Sequence, residues 1–200
     1  MSSEDRAALA ALFRSTGGTR WKQKKSEDTD ADLLQWYGVR VNEDGRVVEL
    51  GLYHDNLEAS IPTRLGSLIK LQLLRLDGNQ LVGENLPNGP CAIPLIVVLI
   101  ACAGFIPTSL GSLSRLQVLR LSGNQLVGRI PKELGILENL QELDVGNNHL
   151  TGVIPTELGN LGLLSKIELE TTRQNSSGAV ASILPVRGPV KREGLGSWRA

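Results

Sequence analysis

The chain has 200 residues, of which 35 are leucine and only 7 are aromatic, so any core must be aliphatic. Hydrophobic residues make up 41% of the chain, which is enough to bury a core and excludes wholesale disorder. Basic and acidic residues number 21 each, so no net charge attracts the chain to nucleic acid or to an anionic membrane. The two cysteines exclude a disulfide-rich scaffold, and their spacing matches no metal site.

The pattern of apolar residues and glycines in residues 1–46 predicts a cap at the front of the chain. The apolar residues that share one face of a predicted helix are Leu9, Leu12 and Phe13. Gly17 and Gly18 are typical of the end of such a helix. We expect this helix, with Trp21 and Trp36, to cover the first of the repeats that follow. The acidic start is unlike a signal peptide, which predicts a cytoplasmic protein.

Two sequence markers recur along the rest of the chain. The first is an Ile-Pro pair, followed by leucine and glycine at fixed offsets, which occurs at Ile61, Ile106, Ile130 and Ile154. The second is Leu-x-Leu, or its equivalent, whose second apolar position falls at residues 52, 76, 121, 145 and 169. Asparagine stands three residues later in the middle three copies, and Asp55 and Thr172 take its place in the first and the last. Both markers have a period of 24 residues, interrupted by one interval of 45.

The long interval contains 21 additional residues, which alignment of the repeats places at 84–104. Within them, residues 93–103 are almost entirely apolar, but they are far fewer than the ~20 needed to span a bilayer. We therefore predict no membrane span in this chain. Three interpretations of the insertion remain open: a non-native segment such as retained intron sequence, a genuine loop that docks a partner, and a segment that touches a membrane surface.

The linked markers over residues 47–169 resemble the plant-type leucine-rich repeat, and the segment around Trp36-Tyr37-Gly38-Val39 resembles the N-terminal cap of receptor-like proteins with such repeats. The resemblance implies an α/β fold, a right-handed solenoid of about five repeats with parallel strands on its concave face and a helical cap in front. Secreted members usually have cysteines that flank the Trp-x-Gly-Val element. Here Gln35 and Val41 stand nearby instead, which again favours the cytoplasm.

The resulting domain organisation is a cap at 1–46, repeats at 47–83 and 105–170, the apolar insertion at 84–104 and a flexible basic tail at 171–200. The asparagines of the second marker are Asn79, Asn124 and Asn148. We expect them to be structural, because an amide both donates and accepts and can satisfy backbone groups of adjacent coils.

The side chains beside each Leu-x-Leu point away from the core and are candidates for partner binding. They are Glu49, Tyr53, Arg75, Asp77, Gln117, Arg120, Ser122, Glu142, Asp144, Asn147, Lys166 and Glu168. With coils about 5 Å apart, Arg75 should lie beside Arg120 and Arg120 beside Asp144. This basic-to-acidic strip could dock a peptide with the opposite charge order, or it could consist of cross-strand ion pairs worth about 0.2–1 kcal/mol each.

We therefore expect a non-catalytic, monomeric module that binds a protein or peptide on its concave face in recognition or signalling, without cofactor or metal. His54 and His149 lie in distant repeats, roughly 15 Å apart at ~5 Å per coil, which is too far for a shared metal or a proton relay. The alternative is a truncated ectodomain fragment of a leucine-rich-repeat receptor-like protein or receptor-like kinase. That fragment would act outside the cell or at the membrane, in signal transduction or defence.

Overall fold

The computed structural model describes residues 1–22, 36–82 and 105–169. The predicted insertion at 84–104 and the predicted tail at 171–200 lie outside the described residues. No helix within the described part is long and apolar enough to cross a membrane.

Helix α1 (Ser3–Ser15) forms the predicted cap. It begins at Ser2, whose Oγ accepts a hydrogen bond of 3.1 Å from the backbone N–H of Asp5. The buried face includes Leu9 and Leu12, both without exposed surface, and the helix packs against the 3-10 helix Thr63–Ser67 of the first coil. The helix therefore covers the end of the aliphatic core, as the sequence predicts.

The main element of the fold is a six-stranded sheet, called the long sheet below. Its strands in spatial order are β1 (Val39–Val41), β2 (Val47–Gly51), β4 (Leu73–Arg75), β6 (Val118–Arg120), β8 (Glu142–Asp144) and β10 (Lys166–Glu168). Strand β1 is antiparallel to β2, and all other pairs are parallel. The parallel sheet predicted from the repeats is thus confirmed.

Two small parallel sheets form a second side of the solenoid. The first pairs β3 (Glu58–Ala59) with β5 (Gln80–Leu81), and the second pairs β7 (Val127–Gly128) with β9 (His149–Leu150). The third side consists of 3-10 helices that each begin after the proline of an Ile-Pro pair: Thr63–Ser67, Thr108–Ser112, Lys132–Ile136 and Thr156–Asn160.

The glycine that follows the leucine in each 3-10 helix allows neighbouring coils to approach closely. A Cβ at Gly66 would lie 2.3 Å from the carbonyl oxygen of Ser109 in the next coil, and a Cβ at Gly111 would lie 2.6 Å from that of Glu133. Both separations are too short for carbon and oxygen atoms that are not bonded. The glycine of the first marker is therefore required by the coil spacing.

The coils on either side of the 45-residue interval are stacked as direct neighbours. Leu74 of β4 lies opposite Leu119 of β6, and Arg75 lies opposite Arg120. The same register joins β6 to β8 and β8 to β10, whose pairs are only 24 residues apart. The long sheet is therefore continuous from β4 to β6, irrespective of the chain length between these strands.

Deleting residues 84–104 is expected to leave the fold unchanged, because β4 and β6 already pair as neighbours. The deletion shortens the chain between β4 and β6 by about half, and the smaller entropy cost of closing this shorter connection should raise the free energy of unfolding by about 0.6 kcal/mol. Removing an apolar run should also reduce aggregation. Thermal unfolding followed by circular dichroism, together with light scattering, measures both effects.

A deletion of equal length, residues 108–128, provides the matched control. It removes β6 and should abolish cooperative unfolding. Loss of cooperative unfolding in the 84–104 deletion as well would show that the deleted segment helps to hold the coils together.

Candidate protein-binding face

The outward side chains of the long sheet form a row that runs along the solenoid axis. The register places Arg75 opposite Arg120, Arg120 opposite Asp144, and Asp144 opposite Glu168. Because residues alternate between the two sides of a strand, the leucines between these positions enter the core and the charged side chains face away from it. The row therefore brings together charges from strands far apart in sequence.

At the N-terminal end of this row, Arg40 and Arg75 each form an ion pair with a carboxylate of the same chain. Arg40 of β1 donates from Nη1 to both carboxylate oxygens of Glu49, at 2.9 and 3.0 Å. The guanidinium carbon of Arg75 lies 4.6 Å from the ring centroid of Tyr53, a cation–π contact. The Nε of Arg75 is also 3.3 Å from Oδ1 of Asp77. Four of the predicted binding residues thus contribute to these contacts.

At the rear, four charged residues form a continuous chain across β6, β8 and β10. Arg120 Nη2 lies 2.9 Å from the Glu142 carboxylate, and Lys166 Nζ lies 3.2 Å from Glu142 and 2.5 Å from Glu168. Burial works against ionisation of Glu142. Hydrogen bonds from Arg120 and Lys166 outweigh this effect and hold the pKa of Glu142 below its usual value.

Asp144 lies opposite Arg120 in the register but does not pair with it. Its carboxylate accepts hydrogen bonds from the Ser122 hydroxyl at 2.6 Å and from the Gly146 N–H at 3.1 Å. Only 9% of the residue is exposed, and this burial raises the pKa of Asp144 above its usual value. Arg120 therefore neutralises Glu142 rather than Asp144, a choice that strand register alone does not determine.

Two further predicted residues lie at the margins of this face. Gln117 is exposed directly before β6, and Asn147 is exposed after β8 with a left-handed φ of 50°. Along the row itself, each of the cations Arg40, Arg75 and Lys166, like Arg120, lies within 3.3 Å of a carboxylate oxygen. The charges of this face are thus largely compensated within the chain.

The asparagines of the second marker, Asn79, Asn124 and Asn148, are buried at the corner that follows each strand. Asn124 shows their common bonding pattern. Its Nδ2 donates to the carbonyl of Leu76 in the preceding coil at 2.9 Å and to that of Leu121 in its own coil at 3.0 Å. Its Oδ1 accepts from the N–H of Leu81 at 3.0 Å. Each amide therefore links two coils through backbone groups.

The aromatic residues of the cap form one cluster. The ring centroids of Phe13, Trp21 and Trp36 lie 5.3 to 5.6 Å apart. The indole N–H of Trp21 donates to the carbonyl of Thr16 at 3.2 Å, so the polar atom of this buried ring has a partner. Both tryptophans thus stabilise the cap, and neither lies in the charged row.

The sequence analysis missed a buried ion pair that joins the cap to the first coil. Asp5 of α1 is 1% exposed, and its carboxylate accepts from Arg46 Nε at 3.0 Å and from the Val47 N–H at 2.8 Å. Burial opposes ionisation, but the hydrogen bonds, led by that of Arg46, lower the pKa of Asp5. Asp5 is visible in sequence only as an acidic residue in the first turn of a helix, because its partner is 41 residues away.

The described part of the chain offers no candidate metal site. The described residues contain no group of three or more His, Cys, Asp or Glu side chains arranged to hold a metal ion. His54 follows β2, whereas His149 begins β9, so the two histidines belong to different coils.

Comparison with known proteins assigns the repeats. A family model described as Leucine Rich Repeat matches residues 115–137 and 139–161. The BIR2 ectodomain from Arabidopsis thaliana superimposes with a TM-score of 0.69 and 28% identity, over 86% of this chain and 81% of that one. The chain has the leucine-rich-repeat solenoid fold. The solenoid fold that the resemblance implies is confirmed.

Two further matches are also proteins of Arabidopsis thaliana. A chain of the BIR3–SERK2 complex from Arabidopsis thaliana has a TM-score of 0.65 and 26% identity, over 84% of this chain and 81% of that one. A probable leucine-rich repeat receptor-like protein kinase from the same plant is 39% identical over 75 residues, which is 38% of this chain and 8% of the kinase. The chain thus spans only a small part of that kinase.

Proposed function

We propose that this solenoid is a non-catalytic, monomeric module that binds a protein or peptide in recognition or signalling. The binding surface is the face of the long sheet that points away from the aliphatic core, which the sequence analysis calls the concave face. The row of polar and charged side chains on that sheet carries the proposal. These side chains are not part of the aliphatic core, yet they are held in fixed positions by the coil spacing. A relative whose structure was solved as a complex of two proteins, BIR3 and SERK2, supports a protein partner.

Within the row, Arg75 is the best candidate for contact with a partner. Its distances to Asp77, 3.3 and 3.5 Å, are the longest of the ion pairs on this face, and 31% of its side chain is exposed. The Tyr53 ring holds the guanidinium in place, which reduces the entropy lost on binding. A partner carboxylate could therefore join Arg75 without breaking a strong internal pair.

The charge reversal Arg75→Glu tests this role. Peptides enriched from a random library displayed on phage against the full chain should bind the variant about tenfold or more weakly, because the partner's charge order no longer matches. The thermal midpoint should change by no more than about 4 °C, since a partly exposed pair contributes about 1 kcal/mol or less. Fluorescence anisotropy with labelled peptides gives Kd, and circular dichroism gives the midpoint.

Arg115→Glu is the matched control, because Arg115 is exposed in the turn before β6 and outside the charged row. Arg120 stays unchanged in this test, because its pair with Glu142, at 2.9 Å, is shorter than the pair of Arg75 with Asp77, at 3.3 Å. Peptides that bind Arg75→Glu and the unaltered chain equally would show that Arg75 does not contact the partner.

A second candidate function is that of a fragment of a receptor-like protein or kinase. The identity to a receptor-like kinase and the superposition on the BIR2 ectodomain favour it, and both favour an extracellular location over the predicted cytoplasmic one. Full-length transcripts decide between the two candidates. Coding sequence for a membrane helix and a kinase downstream would support the fragment, whereas a stop codon after Ala200 in every transcript would contradict it.

A further inference from the structure

Two adjacent strands of the long sheet present aliphatic side chains where the rear strands present charges. Leu73 of β4 lies directly opposite Val118 of β6, and both are half-buried. The equivalent residues of β8 and β10 are Glu142 and Lys166. The residue after each aliphatic one is a fully buried leucine, so Leu73 and Val118 point to the outer side of the sheet. They form a small apolar step on an otherwise polar face.

A row of exposed glutamines borders this step. Gln72, Gln117 and Gln141 each lie directly before a strand, in successive coils. The carbonyl of Gln72 accepts the N–H of Gln117 at 2.8 Å, and the carbonyl of Gln117 accepts that of Gln141 at 2.8 Å. Within the described ranges, the side-chain amides of these three residues make no hydrogen bond. Their donors and acceptors are therefore open to a partner.

The aliphatic surface of the step favours an uncharged ligand there. A ligand charge placed directly over Leu73 and Val118 would lose water to side chains that offer it no hydrogen bond or opposite charge. An aliphatic ligand side chain displaces nothing from Leu73 and Val118 except water. A glutamine amide can donate to a peptide carbonyl and accept from a peptide N–H.

We propose that Gln72, Leu73, Gln117 and Val118, here called the amide–aliphatic patch, bind an extended peptide segment with an aliphatic side chain and no charge at the residues in contact. Leu73 and Val118 contact the aliphatic side chain, and the two glutamines hydrogen-bond the peptide backbone. The inference rests on the proposed function and names the chemistry of the partner. Arg75 and Arg120, two residues further along the same strands, then contact the flanking part of the peptide.

The test uses peptides enriched from a random phage library against the full chain, synthesised and labelled. Their Kd is measured for the double variant Leu73→Ser with Val118→Ser and for Gln72→Ala with Gln117→Ala. The control is Ile69→Ser with Ile136→Ser, which removes aliphatic groups that are 45% and 66% exposed on the 3-10 helical side. We expect aliphatic, uncharged centres in the enriched peptides, and a loss of about tenfold or more in both patch variants but not in the control.

The outcomes separate this inference from the proposed function. Peptides that bind Arg75→Glu more weakly than the unaltered chain, but bind both patch variants with unchanged Kd, would overturn the inference and leave the proposed function standing. If no peptide is enriched, or if no variant of the long sheet alters binding, both fail. Circular dichroism verifies the fold of each variant. If the serine variant does not fold, the glutamine variant decides, because its side chains are exposed.

Discussion

Replacing Asn124 by alanine is expected to lower the free energy of unfolding by about 3–5 kcal/mol, because each buried backbone group left without a partner costs about 1–3 kcal/mol. The side chain, 6% exposed, donates to the carbonyls of Leu76 and Leu121 and accepts from the N–H of Leu81. Two of these partners lie in the preceding coil, on the other side of the 45-residue interval. The loss is a large share of the stability of an ordinary domain, about 5–15 kcal/mol.

Urea denaturation followed by circular dichroism measures this loss. Gln125→Ala is the matched control, because Gln125 is exposed directly after the corner and should cost about 0.5 kcal/mol or less. Asn124→Asp adds a test of mechanism, since an ionised carboxylate keeps the acceptor but loses both donors. A loss below about 1 kcal/mol for Asn124→Ala would show that water replaces the amide, contrary to the role assigned to it.

Replacing Asp5 by asparagine is expected to lower the free energy of unfolding by about 3–5 kcal/mol at neutral pH, because it leaves the Arg46 guanidinium without its carboxylate partner. Three hydrogen bonds join the Asp5 carboxylate of α1 to the guanidinium of Arg46, the residue directly before β2. Chemical denaturation of both chains measures the change. Glu4→Gln is the control, because Glu4 is exposed in the same turn of the helix.

The same ion pair predicts acid sensitivity. Since the pKa of Asp5 in the folded chain is lowered, its stabilising effect is complete above its ordinary pKa of 3.8 and is lost as the pH falls from there through the folded-state pKa. Stability of the unaltered chain should therefore fall more steeply below about pH 4 than that of Asp5→Asn. Parallel curves for the two chains in this range would contradict the assigned ion pair.

The charged row shows where prediction from sequence ends within the candidate site. The 24-residue period predicts that Arg120 and Asp144 occupy equivalent positions in adjacent coils, and the strands pair in that register. The side chains nevertheless form other contacts: Arg120 pairs with Glu142, and Asp144 accepts a hydrogen bond from the Ser122 hydroxyl. A long arginine has several rotamers that reach different carboxylates within one coil spacing, so backbone register cannot select among them.

The sequence by itself determined the solenoid, its buried leucines and the corner asparagines. Each coil contacts mainly its neighbours, so a repeated spacing of apolar residues is enough to specify the stack. The tertiary structure alone decided the pairing of Asp5 with Arg46 and the pairing of Arg120 with Glu142 in place of Asp144. These features depend on side chains that meet across long sequence separations or adjacent coils. Their contacts follow from packing geometry and burial, which no local pattern of residues encodes.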